Sequence, residues 1–583
     1  MWSEGARAMT DYWGKALPGL TSPFSSPMEH WQKMVHDIAD GSLNSQALSE
    51  AQLKMWQDSM KLWAGVMANG EANGDTVIQP DRGDRRFRSE SWNDGSIFDF
   101  MKQSYLLASR YIEDVVGSIE GLDEKRARQI AFYARQYVDA MSPTNFAVTN
   151  PDVLNKTIET NGQNLARGLN NMMEDLKKGE GTLKISMTDT DAFELGKNVA
   201  TTPGEVVYEN DLMQLIQYTP STDKVFKRPL LVIPPWINKF YILDLRPENS
   251  YIRWLVDQGH TVFVVSWVNP GAELSDKGFE AYMLEGPIAA MDAIEQATGE
   301  KSFNVIGYCL GGTLLSALLA YNKSIGDDRI KSATFFTAMI DFAEPGELGV
   351  YIDEMQLEKL EKKMDEQGFL EGADMASAFN MLRSNDLIWS FVINNYLLGK
   401  DPAAFDLLYW NSDSTRMPAR MHREYLRTMY LENRFKEPGG IVLNGVPIDV
   451  NTVDTPSYFL SAIEDHIAPW ASTYMGAQLF KGSVKFVLGG SGHIAGVVNP
   501  PSANKYCYWT RTGKLLDSGE EWLDGAKRNE GSWWPDWAKW VKRHAGASVV
   551  ARKPGDGKLK VIEPAPGRYV KLRLDKQKPG KCL

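Results

Sequence analysis

From Pro229 onward the sequence alternates short apolar runs with longer stretches of helical periodicity, and few folds accommodate that pattern. The runs are Leu230–Ile233, Thr261–Ser266, Phe303–Ile306, Ser332–Thr337, Ser457–Ser461 and Val484–Leu488, with helix-like segments such as Ser250–Asp257, Gly286–Ala297 and Leu310–Tyr321 between them. Strand-length runs dominated by apolar residues, without strict alternation, are buried on both faces. Strands of that kind separated by helices predict a mostly parallel sheet of the α/β class with helices on both faces. From Asp341 to Asn451 the alternation stops, and the sequence becomes rich in Met, Leu and aromatic residues. That stretch is expected to be a helical cap inserted over the active edge of the sheet.

Upstream of the sheet the texture is helical. Ile97–Val116 and Glu124–Met141 are amphipathic, so residues 91–205 predict a helical amino-terminal domain. Residues 1–90 form a separate amphipathic segment with Gly/Ser/Pro breaks around Pro18–Pro27 and Gly70–Gly83. Within it Leu53, Trp56, Met60, Trp63 and Met67 recur at steps of three and four and share one helical face. Such a face either joins a core or meets a partner, a second subunit or an apolar surface. The catalytic core is expected from 206–340 and 452–583, with 341–451 as the cap.

Composition narrows the classes. A chain of 583 residues with 43% hydrophobic residues buries a large core and divides into more than one region. The start, Met1-Trp-Ser-Glu-Gly-Ala-Arg, lacks the basic and apolar segments of a secretory signal. No run approaches the roughly 18 apolar residues of a membrane span. Three cysteines, Cys309, Cys507 and Cys582, do not make a disulfide framework and fit a reducing cytoplasm. A net charge of −12 argues against nucleic acid as a partner. From Arg552 to Leu583, ten Lys/Arg face three Asp/Glu. This is either a solvated basic tail or a contact for an anionic surface.

The chemistry is concentrated after three of the predicted strands. Gly307-Tyr308-Cys309-Leu310-Gly311-Gly312 follows one strand and opens a helix, the setting of a nucleophile elbow with cysteine in place of serine. Ala462-Ile463-Glu464-Asp465-His466 follows the next-to-last strand, and Gly489-Gly490-Ser491-Gly492-His493 the last. Nucleophile, acid and histidine in that order, each beyond a strand's carboxyl end, predict an α/β-hydrolase fold with Cys309, Asp465 and His493 as the triad. Glu464 competes for the acid role, and His466 is expected to line the pocket or be structural. The remaining histidines, His30, His36, His260, His422 and His544, carry no motif, and no metal-ligand spacing appears. Ile233-Pro234-Pro235-Trp236-Ile237-Asn238-Lys239 occupies the loop that supplies one oxyanion-hole N–H in this fold. The candidate donors are therefore Ile237 and Leu310. Cysteine favours acyl transfer over hydrolysis, because a thioester retains the reactivity of a thioester donor and passes it to an alcohol.

These motifs, with Tyr241, Trp410-Asn411-Ser412-Asp413-Ser414-Thr415, Ser491–Gly496, Asn499-Pro500-Pro501 and Pro566-Gly567-Arg568-Tyr569-Val570-Lys571, resemble the class I polyhydroxyalkanoate synthases from about Asp81 onward. The resemblance implies polymerisation of short-chain (R)-3-hydroxyacyl-CoA, such as 3-hydroxybutyryl-CoA, with release of CoA. It implies Cys309 as the acylated nucleophile, His493 as base, and Asp465 as triad acid that also activates the acceptor hydroxyl. It further implies no cofactor beyond CoA as substrate and product, a homodimer, and a cytoplasmic protein on polyester granules in contact with the growing chain. His466, Trp410 and Asn238 are expected at the substrate pocket. Two other readings stay open on the residues: a thioesterase or depolymerase of the same fold, and a non-catalytic granule-surface protein.

Overall fold

The computed structural model describes residues 42–69, 76–93 and 97–573, which form two compact units. The Pro18–Pro27 breaks, His30, His36 and Cys582 lie outside the described residues.

The first unit comprises the described residues up to Asp189 together with Asp374–Ala403. Its helices are α1 (Ser45–Asn69), α2 (Ile97–Gly117), α3 (Glu124–Ala140), α4 (Pro151–Glu159) and α5 (Gln163–Lys178). Local sequence sets several starts. Asp123 accepts from the Arg126 N–H to cap α3, and Asn150 caps α4 just ahead of Pro151. Helix α1 packs on α2 by burying Ala51 and Leu62 and by an Arg110–Asp58 ion pair at 2.6 Å. The expected division at residue 90 therefore does not separate the two helices. The stripe Leu53, Trp56, Met60, Trp63 and Met67 is not core: each of the five is at least half exposed, from 51% at Met60 to 80% at Met67. Among the described residues Trp63 makes a ring contact, edge-on to Phe100 at 5.0 Å.

Asp374–Ala403 corrects the expectation of one continuous cap over 341–451, because this middle part is built into the first unit. Asn395 Nδ2 donates to the Ser186 carbonyl at 2.7 Å, Asn164 Nδ2 to Leu397 O at 2.9 Å, and Thr188 Oγ1 to Ala403 O at 2.9 Å. A Cβ on Gly168 would lie 1.7 Å from the Tyr396 carbonyl, so only glycine permits this approach of α5. The boundary to the second unit falls at Asp189, not near residue 205.

The second unit, Thr190–Ala373 with 404–573, contains an eleven-stranded sheet. Its strands are β1 (Gly204–Glu209), β2 (Met213–Tyr218), β3 (Leu230–Ile233), β4 (Val262–Trp267), β5 (Phe303–Tyr308), β6 (Ile330–Phe336), β7 (Ser457–Ala462), β8 (Val484–Gly489), β9 (Cys507–Thr510), β10 (Lys527–Glu530) and β11 (Glu563–Pro564). The spatial order is β10-β9-β8-β7-β6-β5-β3-β4-β2-β1-β11. The block from β4 to β8 is parallel and consists of the six strands expected from apolar runs. Helices α6 (Tyr251–Asp257), α7 (Ala289–Thr298) and α8 (Leu310–Ile325) follow β3, β4 and β5.

The strands that the apolar pattern did not reveal are the antiparallel ones at both edges. In β2, Gln214 and Gln217 interrupt the apolar run, yet both are buried. Gln214 Nε2 donates to Glu209 and Glu563, and Gln217 Nε2 to the Arg552 carbonyl, so each amide nitrogen meets a partner more than 300 residues away. The basic tail divides over its described part: Lys553, Lys558, Lys560 and Lys571 are exposed, while its arginines are paired within the chain. Arg552 pairs with Glu300 at 2.6 Å, Arg568 with Glu563 at 3.0 Å and with Glu209, and Arg573 is buried.

Asp175 tests how firmly the split insertion is held. Its carboxylate accepts from Tyr396 Oη at 2.7 Å, Ser186 N at 2.9 Å and Ser186 Oγ at 2.6 Å. Asp175→Ala leaves buried donors unpaired and is expected to lower stability by about 2 kcal/mol in urea unfolding. Lys178→Ala removes an exposed partner 3.7 Å from Asp175 and is expected to cost less than about 0.5 kcal/mol.

Candidate active site

Strand β5 ends at Tyr308 and α8 begins at Leu310, which leaves Cys309 alone in the turn at φ 52°, ψ −118°. A non-glycine residue there is strained by about 1–3 kcal/mol and persists only where its surroundings fix it. The Cys309 N–H donates to Phe336 O at 2.9 Å, and the Cys309 carbonyl accepts from Gly312 N at 2.8 Å and Thr313 N at 3.2 Å. The flanking glycines are dictated by contact. A Cβ would lie 2.6 Å from Gly311 O at Gly307, 2.0 Å from Ile233 O at Gly311, and 2.3 Å from Ala338 Cβ at Gly312. The contact at Gly311 also sets the elbow directly against the end of β3, where the Pro234–Lys239 loop begins.

The turns after β7 and β8 bring the other two residues in. His493 Nδ1 lies 2.7 Å from Asp465 Oδ2. Asp465 Oδ1 accepts from Ile467 N and Ala468 N, both at 2.9 Å, so the carboxylate is held by its own turn. Both side chains are buried, whereas Glu464 is exposed. With Nδ1 facing Asp465, the other ring nitrogen of His493 is left for the hydrogen bond to the Cys309 thiol. Burial alone would lower the His493 pKa, but the Asp465 carboxylate and Cys309 raise it to about 10. The histidine loop is braced from behind, with Trp533 Nε1 donating to Gly496 O at 2.8 Å and Trp534 Nε1 to Val497 O at 3.0 Å.

The oxyanion candidates lie at the start of α8 and in the loop after β3. The Leu310 N–H opens α8, where a helix has no internal acceptor. The Ile237 N–H donates to no other group among the described residues. Of the three expected pocket residues, Asn238 keeps its Oδ1 buried without a hydrogen-bond partner. The His466 carbonyl accepts from Glu347 N at 3.4 Å and ties the acid turn to the start of the insertion. Trp410 is buried in the core, and its indole donates to Lys239 O at 2.7 Å, so it supports the loop instead of lining a pocket. His260 and His422 are buried, and burial lowers both to about 4, which keeps them neutral. His544 is half-buried at the end of the helix Trp534–Val541.

Further residues at the site were not among the candidates. Tyr308 stacks on His493 with ring centroids 5.8 Å apart, and its hydroxyl donates to His493 O at 3.4 Å. Tyr425 and Tyr430 come from the insertion, and both feel the charge of Cys309. Tyr425 Oη donates to Thr313 Oγ1 at 3.3 Å. In an α-helix, residues five apart point about 140° away from each other. Here Leu426–Leu431 is a π-helical turn, which brings the two tyrosine rings to 6.0 Å. Beside them, Trp236 packs against Trp267, Tyr282 and Tyr425, with its indole nitrogen buried and unpaired.

Comparison with known proteins gives consistent matches. Residues 83–255 match the family model of the poly-beta-hydroxybutyrate polymerase (PhaC) N-terminus, and residues 240–500 that of the alpha/beta hydrolase fold. The chain is 49% identical to a poly(3-hydroxyalkanoate) polymerase of Methylorubrum extorquens, over 96% of this chain and 93% of that one. It is 48% identical to poly(3-hydroxyalkanoate) polymerase subunit PhaC of Rhizobium meliloti, over 95% and 90% of the two chains. Against the corresponding subunit of Cupriavidus necator the identity is 43%, over 90% and 88%.

The raised pKa of His493 has a thermodynamic consequence. A histidine whose folded-state pKa lies above its usual 6.5 takes up a proton on folding, so its contribution is complete below pH 6.5 and fades as the pH rises towards about 10. The stability margin of the wild type over His493→Gln, read from urea unfolding, is expected to be largest near pH 6 and to shrink steadily to pH 9.5. A margin that grows with pH contradicts the charge arrangement.

Proposed function

The chain belongs to the poly(3-hydroxyalkanoate) polymerase family and is an acyltransferase on the α/β-hydrolase fold; on that premise we propose that it polymerises short-chain (R)-3-hydroxyacyl-CoA through a thioester on Cys309. The observation that carries this reading is the buried row Asp465–His493–Cys309 on a strained elbow.

In the proposed cycle His493 takes the thiol proton, and the thiolate attacks the carbonyl of the acyl-CoA. The tetrahedral oxyanion receives the Leu310 and Ile237 N–H groups, which are preorganised because neither has another acceptor to leave. The C–S bond to CoA breaks, His493 returns its proton to the departing thiolate, and acyl-Cys309 remains. A 3-hydroxyl then attacks this thioester, its proton passes to His493, an ester C–O bond forms, and the Cys309 thiolate is released to be reprotonated. One thioester replaces another in the first half, so the fall in free energy is reserved for ester formation in the second. The cycle uses no resident cofactor, since CoA enters with the substrate and leaves as product.

Asp465 acts through His493 in this scheme. Its Oδ1 is occupied by two backbone N–H groups and its Oδ2 by the imidazole, so the hydroxyl proton goes to His493 and not to the carboxylate. Tyr308, Tyr425 and Trp236 make the walls apolar and aromatic, which suits a short acyl chain and excludes water from the thioester.

Substitution separates these roles. Cys309→Ala is expected to lose CoA release and polymer formation from (R)-3-hydroxybutyryl-CoA completely, and Cys309→Ser to fall at least about 100-fold, because an alkoxide is harder to generate. Asp465→Asn is expected to lose about 100- to 10,000-fold through the wrong tautomer of His493. Glu464→Gln is expected to stay within about threefold, as befits an exposed side chain. Equal losses at the two carboxylates sink the acid assignment. Free hydroxy acid in place of polymer favours the hydrolase alternative.

The exposed stripe on α1 supports the proposed placement on granules. Five apolar side chains at least half exposed on one helix form a surface that water does not favour, and a polyester surface or a second copy of the helix covers it. Granules in the cytoplasm are the setting this implies. No helix among the described residues is long and apolar enough to cross a membrane. Trp56→Gln with Met67→Gln is expected to weaken granule binding or dimerisation and lengthen the polymerisation lag, while single-turnover acylation of Cys309 stays unchanged. An unaltered lag, self-association and granule affinity refutes the placement.

A further inference from the structure

The loop Pro234–Lys239 presents the Ile237 N–H but belongs to no strand or helix. Its carbonyls are fixed by side chains from elsewhere. Pro234 O accepts from the Trp267 indole at 2.8 Å, Trp236 O from Thr415 Oγ1 at 2.9 Å, and Lys239 O from the Trp410 indole at 2.7 Å. Lys239 then points inward. Its ammonium lies 2.7 Å from Asp413 Oδ1, with the two side chains 3% and 1% exposed. The same ammonium donates to Val570 O at 2.8 Å and Leu572 O at 2.7 Å, more than 300 residues further along the chain. Asp413 Oδ2 accepts from Tyr241 Oη at 2.9 Å and faces the Arg573 guanidinium at 3.7 Å. Arg573 is itself 5% exposed and lies 4.5 Å above the Tyr409 ring.

A buried ion pair is a poor device for stability alone, because desolvation offsets most of its attraction and apolar replacements are often as stable. What this pair supplies is a junction. One ammonium joins the loop to Asp413, in the flank of the insertion that follows its central segment, and to two carbonyls of the C-terminal tail. The same short segment, Trp410–Thr415, also clamps the loop at Trp236 and Lys239. The sequence motifs around Trp410 and Val570 thus converge on the backbone that carries Ile237.

We propose that Lys239 and Asp413, with Val570–Arg573 of the tail, are positioning residues that hold the Ile237 N–H where the acylation oxyanion forms. This rests on the oxyanion role given to Ile237 and on Cys309 as nucleophile. A loop released from the clamp leaves the thiol–imidazole pair intact and loses only the donor. Removal of one such donor costs about 100- to 1,000-fold, and misplacement by about 1 Å up to about 100-fold.

Alkylation distinguishes the two. Attack of Cys309 on iodoacetamide needs the thiolate but forms no oxyanion, whereas acylation by (R)-3-hydroxybutyryl-CoA needs both. The full-length double variant Lys239→Met/Asp413→Leu removes both charges together and leaves neither stranded. It is expected to alkylate at Cys309, followed by peptide mass spectrometry, within twofold of wild type and with the same pH profile. Its single-turnover acylation is expected to fall 10- to 100-fold at saturating substrate, with KM nearly unchanged. Arg573→Met keeps the ion pair and serves as the second variant, with an expected three- to tenfold loss of acylation and normal alkylation. Unchanged acylation in both variants overturns the inference, as does a parallel fall of alkylation and acylation, which reports a general structural role. Acylation that survives in Cys309→Ala overturns the nucleophile assignment and this inference together. Its loss there, with unchanged acylation in the clamp variants, overturns this inference alone.

Discussion

Cys309 occupies a backbone conformation that its own side chain disfavours, and the catalytic unit is arranged around keeping it there. The strain is sustained by close packing on three sides: Gly307 on the start of α8, Gly311 on the Ile233 carbonyl, and Gly312 on Ala338 beyond β6. The contacts of Gly311 and Gly312 need a parallel neighbour on each side of β5, which is why the elbow sits inside the six-stranded block and not at an antiparallel edge. The ends of the neighbouring strands lead into the turns that carry Asp465 and His493 and into the Pro234–Lys239 loop.

Electrostatics at the site follows from burial. His493 is removed from water, which favours its neutral form, and is placed against a carboxylate and a thiol, which favour the cation; the partners win. In the proposed cycle that balance suits a base that holds the thiol proton until the CoA thiolate departs and then receives the proton of the attacking hydroxyl. The insertion contributes Tyr425 and Tyr430 through a π-helical turn whose wider spacing brings rings five residues apart to 6.0 Å.

The insertion itself is divided between the two units. Its central segment is bonded to α5 and to the stretch around Ser186, while its flanks stay with the catalytic sheet. The basic tail has a comparable internal role. Its described arginines are matched by Glu300, Glu209, Glu563 and Asp413, whereas Lys553, Lys558, Lys560 and Lys571 stay exposed. Runs of charge in sequence and patches of charge in space are different things, and here tertiary contact pairs only the arginines of the run.

The parallel block and the placement of Cys309, Asp465 and His493 at strand ends follow from the sequence alone. Leu230–Ile233 is apolar at every position and Phe303–Tyr308 at most of them, because both faces are covered, and that composition is visible without a partner. The elbow was equally legible, since its glycines answer to local sterics within a few residues. Asp465 and His493 could be assigned because strand order fixes where they fall, although only the fold separates Asp465 from its exposed neighbour Glu464. The antiparallel edge strands were not legible, because Gln214 and Gln217 are buried by partners at Glu563 and Arg552 that no local pattern announces. Nor could the letters show that the α1 stripe faces outward, that Trp410 braces a loop, or that Lys239 reaches Asp413 and Leu572. Periodicity says which residues share a face, and a local motif says which backbone is strained. What covers the face, and which distant carbonyl meets the ammonium, is decided only when the whole chain is packed.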